Sequence, residues 1–406
     1  MSKSNGTAKS SETYLQHVSL KNYKSIKHAE IDLKPGLNII IGKNSSGKTN
    51  FVNGLNKIMN FEYDDFVDSE STLRVKIAPD VLTVKATNLN RVDDEFLEFG
   101  PMSHHKLDLL VNEEPINTIN NEDLLNQIYE KLLSFDALLI PYGIRYNDVS
   151  RVVNNAFSAT LINNGNVSRD IVTSTKGENR TEFVKCILVG LQLHISRIFQ
   201  TNPLKSKPLK GEINSFLEQL LQPINDVISN YCSIKAVRLS PDFHIVVEND
   251  GARQTIKNFF LEFSIEKDWL TFDLLSDGSQ RLFYIISELI YTYRYNDLLL
   301  HKSKLKVILL EEPELGIHPH QLHLLMQFIK EQAQKKQIII TTHSPQVLDT
   351  LEPDELDRII ICHYDPKTGT QLSHLSEKEE SKAKKYMQAE AFLSDYWRFS
   401  DLEPAN

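Results

Sequence analysis

Residues 42–49, Gly42-Lys43-Asn44-Ser45-Ser46-Gly47-Lys48-Thr49, follow the pattern G-x-x-x-x-G-K-[ST]. No other part of the chain constrains the fold as much. Such a loop cradles a phosphate only when a buried strand leads into it and a helix leads out. Both flanks are present. Residues 37–41, Leu-Asn-Ile-Ile-Ile, read as a short buried strand, and residues 50–58, Asn-Phe-Val-Asn-Gly-Leu-Asn-Lys-Ile, read as a helix. The glycines let the backbone curl so that its N–H groups face an anion, and the helix N-terminus adds a favourable dipole. Lys48 is then expected to reach the β- and γ-phosphates, with Thr49 holding Mg²⁺. The pattern predicts a site for a nucleoside triphosphate, ATP or GTP, along the whole run from Gly42 to Asn50.

The chain has 406 residues, enough for two or three domains with a sizeable core. Its three cysteines, Cys186, Cys232 and Cys362, are widely spaced, form no metal pattern and suit a reducing cytoplasm. No apolar run is long enough for a signal peptide or a membrane span, so no membrane partner is expected. The formal net charge of −9 gives the chain as a whole no attraction for nucleic acid. Local basic clusters exist at Lys205, Lys207 and Lys210, and at Lys302, Lys304 and Lys306. Two readings of them stand: solvated faces, the commoner case, or nucleic-acid contacts.

Along the chain, residues 14–23 and 28–33 read as two strands ahead of the phosphate loop. Residues 70–115 read as an antiparallel extension of the same sheet, and 138–140, stopped by Pro141, as a further core strand. Residues 181–199 carry apolar side chains at helical spacing (Phe183, Ile187, Leu188, Leu191, Ile195, Ile198), as do 213–228; a β-like run follows at 243–247. Residues 282–289 read as a helix buried on most sides, and 321–334 as an amphipathic one. Val307-Ile308-Leu309-Leu310, Ile338-Ile339-Ile340 and Ile359-Ile360-Ile361 read as parallel strands buried on both faces. The expected division is an N-terminal lobe (1–150), a helical insertion (151–240), a C-terminal lobe (241–363) and a tail (364–406). The tail holds a charged helix from 377 and an aromatic stretch, 392–397, that either packs on the core or docks a partner.

Three further stretches narrow the chemistry. Glu311 and Glu312 stand at the C-terminal end of a buried strand, where open α/β sheets place their sites. One carboxylate there suits Mg²⁺ and the other an attacking water. Leu275-Ser276-Asp277-Gly278 puts a serine and a glycine ahead of an apolar helix, which is either a phosphate-facing turn or an ordinary helix cap. Thr342-His343-Ser344-Pro345 puts a histidine just past another buried strand.

In that order (phosphate loop, long insertion, serine–glycine turn, carboxylate pair, histidine) the chain resembles the RecF/SMC/OLD-type ABC ATPases. The matches also include Asn22-Tyr23-Lys24-Ser25-Ile26, Arg281-Leu282, Glu314 after Pro313, and Ile317-His318-Pro319. The resemblance covers most of residues 12–363. It implies an α/β fold: an ABC-type phosphate-loop ATPase head with an antiparallel β extension and a helical insertion. It implies ATP and Mg²⁺ as cofactors. Lys48 binds phosphate, Thr49 and Glu311 serve Mg²⁺, Glu312 activates water, and His343 senses the γ-phosphate. Ser276 and Gly278 act on the nucleotide of a second copy, so a homodimer or higher homo-oligomer forms through ATP. Residues 314–318 correspond to the D-loop at the dimer seam, which accounts for His318 without the metal reading that His318, His320 and His323 invite.

Two departures are notable. Asp277 stands where transporter versions carry glycine. Residues 51–126 contain no glutamine, although the superfamily carries one that links Mg²⁺ to the insertion. The resemblance implies a cytoplasmic ATPase controlling a separately encoded effector, a nuclease, as in the Septu and PARIS defence systems. Residues 344–406 are too few for the TOPRIM nuclease of OLD proteins. The alternatives are a RecF-like ATPase in DNA repair or maintenance that binds DNA, a transporter subunit, and a scaffold that holds ATP without turning it over.

Overall fold

The computed structural model describes residues 13–60, 62–63, 65–77, 79–89, 104–116, 135–140, 160–162, 183, 186–187, 190–191, 193–194, 197, 210–248, 253–292, 305–389 and 392–399. Contacts divide the chain into two compact units. The first comprises Met1–Tyr142, Lys304–Leu315 and Met326–Asn406; the second comprises Gly143–Ser303 and Gly316–Leu325. The cuts differ from those read off the motifs: residues 241–303 go with the middle of the chain, because their strands pair there. The architecture is the α/β head with an antiparallel extension that the sequence implies.

The first unit is built on a 12-stranded sheet. Its strands are β1 (Thr13–Tyr23), β2 (Ile26–Asp32), β3 (Leu37–Ile41), β4 (Ser69–Ile77), β5 (Asp80–Leu89), β6 (His104–Val111), β7 (Glu114–Pro115), β8 (Phe135–Ile140), β15 (Leu305–Glu311), β16 (Gln337–Thr342), β17 (Ile359–Asp365) and β18 (Gly369–His374). Their order is β7-β6-β5-β4-β1-β2-β18-β17-β3-β16-β15-β8. One half, β17-β3-β16-β15-β8, is parallel. Its inner strands read as unbroken apolar runs because both faces are covered: Ile39, Ile40, Val307, Ile308, Leu309, Leu310, Ile338, Ile339 and Ile340 are all 0% exposed. The other half, β4 to β7 with β1 and β2, is antiparallel, and β4 alternates buried and exposed positions as a one-face strand must.

Helix α1 (Lys48–Met59) leaves β3 through the phosphate loop and buries Phe51, Val52, Leu55, Ile58 and Met59. Each such side chain is worth about 1.5–3 kcal/mol removed from water, which anchors the loop to the sheet. Near the C-terminus, α6 (Glu377–Gln388) is capped at both partners by Ser376 and Glu379, and α7 (Leu393–Phe399) follows. Helix α7 packs on the core: Leu393 and Trp397 are buried, and Ser394 donates its N–H and hydroxyl to the Asp349 carboxylate, each at 2.8 Å.

The second unit holds two three-stranded sheets, order β10-β13-β14 and β11-β12-β9. The first joins Ile234–Leu239, Leu261–Ile265 and Asp268–Thr271; the second joins His244–Glu248, Arg253–Lys257 and Thr160–Ile162. Thr160–Ile162 is thus a strand inside the stretch read as a helical insertion. Phe183, Cys186, Ile187, Gly190, Leu191, Leu193, His194 and Arg197 are helical, as expected. Helix α2 (Lys210–Asn225) buries Ile213, Leu217, Leu220, Leu221 and Ile224, one stripe at 3.6 spacing, and α3 (Ile228–Tyr231) follows it. Helix α4 (Asp277–Tyr291) is buried from Ser279 to Leu289, as an apolar helix inside a core must be. Helix α5 (Pro319–Ala333) covers the stretch read as amphipathic. Of the basic clusters, Lys205, Lys207, Lys302 and Lys304 lie outside the described residues.

Candidate functional site

The site lies at the C-terminal ends of β3, β15, β16 and β17. Parallel registers align those ends: Ile41 pairs with Thr342 and with Ile361, and Glu311 with Thr341. Whatever follows each strand therefore emerges on one edge, which is the geometry that open α/β sheets use. Residues 44–50, Glu312, Ser25 and Tyr364 line one cleft of about 470 Å³ there.

The loop is pre-curled. Ser45 and Gly47 both have positive φ, 66° and 102°. A β-carbon on Gly47 would lie 1.9 Å from Thr370 Oγ1, so strand β18 forbids a side chain there as firmly as the backbone angle does. Lys48 is 5% exposed, and its Nζ donates to Gly42 O at 2.7 Å and to Lys43 O at 2.9 Å. The ammonium is thereby held over the loop it serves. Ser46 Oγ is buried and makes no hydrogen bond among the described residues. An orphaned hydroxyl in a curled loop fits a bound phosphate, whose oxygens would satisfy it. Asn50 donates its side-chain N–H to Ser25 Oγ at 2.8 Å, so it braces the first helical turn against the β1–β2 turn. Cys362, under the loop, gives its thiol to Ser46 O at 3.5 Å, and burial pushes that thiol up from its ordinary range.

Glu311 ends β15 and is 6% exposed. Its carboxylate and the Thr49 hydroxyl both offer oxygen donors, the kind that Mg²⁺ prefers. Glu312 has φ 42°, a left-handed turn rare outside glycine, and its N–H donates to Thr341 O at 2.8 Å. That kink ends the strand. Glu312 Oε1 stands 3.3 Å from His343 Nδ1, and Glu314 Oε1 is 3.6 Å from the same nitrogen. The structure thus brings the phosphate loop, the carboxylate pair and the histidine to one edge of one unit.

The serine–glycine turn belongs to the other unit. Ser276 is the N-cap of α4: its Oγ accepts from Ser279 N at 3.3 Å and donates to Ser279 Oγ at 3.0 Å. Gln280 locks the turn through Phe272 O and Leu275 O, at 2.9 and 3.1 Å. Gly278 is crowded, with Gly316 O 2.9 Å from where a β-carbon would sit. The His320 N–H donates to His318 Nδ1 at 3.3 Å. Among the described residues, no group of three or more His, Cys, Asp and Glu side chains is arranged for a metal.

Two lining residues carried no role in the sequence. Ser25 was visible only as part of a matched stretch. Tyr364, 51% exposed, had a usable signal. Strand β17 was legible beside β3, and the residues just past Ile361 must emerge beside the loop that follows Ile41.

Comparison with known proteins agrees with this geometry. The family model "AAA ATPase domain" matches residues 14–99, and the model "AAA domain, putative AbiEii toxin, Type IV TA system" matches residues 191–349. The first span takes in the phosphate loop; the second takes in the serine–glycine turn, the carboxylates and His343. Endonuclease GajA of Bacillus cereus (strain HuB5-5) is 21% identical over 391 residues, covering 83% of this chain and 56% of that protein. The chain thus spans about half the length of that relative. DNA replication and repair protein RecF of Streptococcus agalactiae (serotype Ia, strain A909) is 43% identical over 42 residues, 10% of this chain and 11% of that protein. Among solved structures, an SMC head bound to the C-winged helix domain of ScpA superposes with a TM-score of 0.50 at 12% identity, covering 91% of this chain and 99% of that one, which speaks for the fold. Sheet order, motif order and these matches converge on one likeness: the chain is similar to the RecF/SMC/OLD-type ATPases of the ABC type.

Proposed function

We propose that the chain binds ATP with Mg²⁺ in the cleft of residues 44–50, hydrolyses it, and closes as a homodimer or higher oligomer around it. The observation that carries this reading is that Glu312 and the phosphate loop line one cleft. Lys48 is the phosphate ligand. An arriving phosphate oxygen offers its ammonium a charged acceptor in place of two neutral carbonyls, a stronger hydrogen bond. The backbone from Gly42 to Asn50 supplies further donors. Thr49 and Glu311 would hold Mg²⁺, which when bound neutralises charge on the β- and γ-phosphates. Glu312 accepts a proton from the attacking water. His343, beside Glu312, orients that carboxylate and contacts the γ-phosphate. Ser276 and Gly278 face the nucleotide of a second copy.

The nucleotide cycle is proposed to control an effector, a nuclease in defence against phage. The partial match to an endonuclease supports the nuclease part; the defence setting is what the resemblance to OLD-type proteins implies. A second reading, a RecF-like ATPase acting on DNA, has the short 43% match in its favour. The two separate on one measurement: the RecF-like reading expects salt-sensitive DNA binding by the purified chain alone.

Mass measured with and without ATP–Mg²⁺ tests the assembly, and an unchanged mass in wild type and Glu312→Gln alike would refute it. Lys48→Ala should cost at least tenfold in ATP affinity, and Glu312→Gln should lower kcat about 10²-fold or more while ATP still binds.

A further inference from the structure

Glu314 stands two residues past Glu312, in a turn closed by the Leu315 N–H to Glu312 O bond of 3.1 Å. Pro313 between them has its φ fixed by the ring, so the two carboxylates leave the turn at a set angle. Both point at the same loop. The Glu314 side chain is 7% exposed. Its Oε1 accepts from Thr342 Oγ1 at 2.5 Å, from the His343 N–H at 3.2 Å and from the Ser344 N–H at 3.3 Å. The three donors belong to consecutive residues, the last of β16 and the two that follow it.

A carboxylate taken out of water is tolerated only where donors replace its hydration. At Oε1 they come from residues 342–344, whereas Oε2 is buried without a hydrogen bond among the described residues, so what holds the buried charge and the loop conformation together is the set of bonds at Oε1. The loop in turn carries His343, whose Nδ1 stands between Glu312 Oε1 at 3.3 Å and Glu314 Oε1 at 3.6 Å. The resemblance puts Glu314 in the D-loop at a dimer seam, yet its carboxylate is turned inward. We propose that Glu314 is a positioning residue: it clamps the Thr342–Ser344 loop so that the His343 ring is held against Glu312, ready for the γ-phosphate. This deepens the ATP-hydrolysis reading and rests on it.

Three variants dissect the clamp. Glu314→Gln keeps an oxygen acceptor at the Oε1 position and removes the charge. Glu314→Ala removes both. Glu314→Asp keeps the charge one methylene short of the loop. Amide hydrogen exchange at His343 and Ser344, measured without nucleotide, reads the clamp directly; ATP–Mg²⁺ affinity and kcat read its consequence. In Glu314→Ala the two amides should exchange faster, kcat should fall roughly 10²-fold, and ATP affinity should stay within about twofold. Glu314→Gln should keep the amides protected and lose less kcat. Unchanged exchange at both amides in Glu314→Ala, or an unchanged kcat, overturns the proposal. Should Glu314→Ala fail to fold, Glu314→Asp carries the same readouts with the same expected and overturning results. A wild-type chain that bound no ATP would sink the nucleotide reading, while the exchange measurement would still decide the clamp.

Discussion

Gly42 and Cys362 touch through their backbones: a β-carbon on Gly42 would lie 2.0 Å from the Cys362 carbonyl oxygen. The cause is register. Ile41 pairs with Ile361 in the parallel sheet, so the first loop residue after β3 runs alongside the next residue of β17. The phosphate loop is therefore seated on the strand that follows His343, not merely on its own helix.

Gly42→Ala should spread β3 from β17, lowering stability by about 1–3 kcal/mol as overpacking does, and weakening ATP binding at least tenfold. The obstructing atom is main chain, so adding Cys362→Ala should restore neither quantity. Thermal unfolding and titration calorimetry check both. Recovery in the double variant would show that the thiol, not the carbonyl, sets the fit.

What the sequence disclosed and what it hid divide along physical lines. Strands buried on both faces announce themselves as apolar runs, so β3, β15, β16 and β17 were legible from Leu37, Val307, Ile338 and Ile359 onward. The loop between β3 and α1 was fixed by its glycines, although the helix begins at Lys48 rather than Asn50. Strand β18 was not legible. Gly369-Thr370-Gln371-Leu372-Ser373-His374 has little apolar periodicity, and backbone pairing with β17 and a single pair with β2 hold it. Yet it delivers Thr370 against Gly47. The small sheet of Ile234–Leu239, Leu261–Ile265 and Asp268–Thr271 escaped for the same reason: its strands are short and half-polar. The inward turn of Glu314 was hidden because a carboxylate in a turn normally faces water.

Ser25 is the hub of a relay that a sequence cannot show. Its Oγ takes the Asn50 side-chain N–H at 2.8 Å and shares a 2.8 Å hydrogen bond with Thr370 Oγ1. Ser25→Ala should strand both partners and cost about 1–2 kcal/mol. Thr370→Val in the Ser25→Ala background should add much less than it costs alone, because the bond is already gone. Chemical denaturation of the four proteins gives the coupling, and strict additivity would dissolve the relay.

Lys336 immediately precedes β16 and is buried, and burial, with Lys335 nearby, lowers its ammonium from 10.5 to about 7. The folded state therefore holds fewer protons than the unfolded state between about pH 7 and 10.5. Below that window both states are charged and the folded state bears the whole desolvation cost, so stability rises with pH across it. Lys336→Met removes the cost. Its thermal midpoint should exceed that of the wild type clearly at pH 6, with the gap shrinking by pH 10. A gap independent of pH would assign the effect to packing instead.

Glu312 holds a left-handed backbone, φ 42°, just ahead of a proline. A conformation of that kind costs about 1–3 kcal/mol at a non-glycine residue and persists where surrounding structure imposes it. The Thr341 carbonyl imposes it here by accepting the Glu312 N–H. Asparagine enters the left-handed region more readily than other side chains, since its amide can bond locally. Glu312→Asn and Glu312→Gln both remove the carboxylate and should both lose turnover. They should differ in stability, with Asn the more stable by up to about 1 kcal/mol. Gln can keep an oxygen beside His343 Nδ1 and Asn cannot, so the comparison is made in the His343→Ala background, where that contact is absent from both. Denaturant titration without nucleotide measures the difference, and a Gln variant as stable as the Asn variant would mean that the turn at the end of β15 stores no strain.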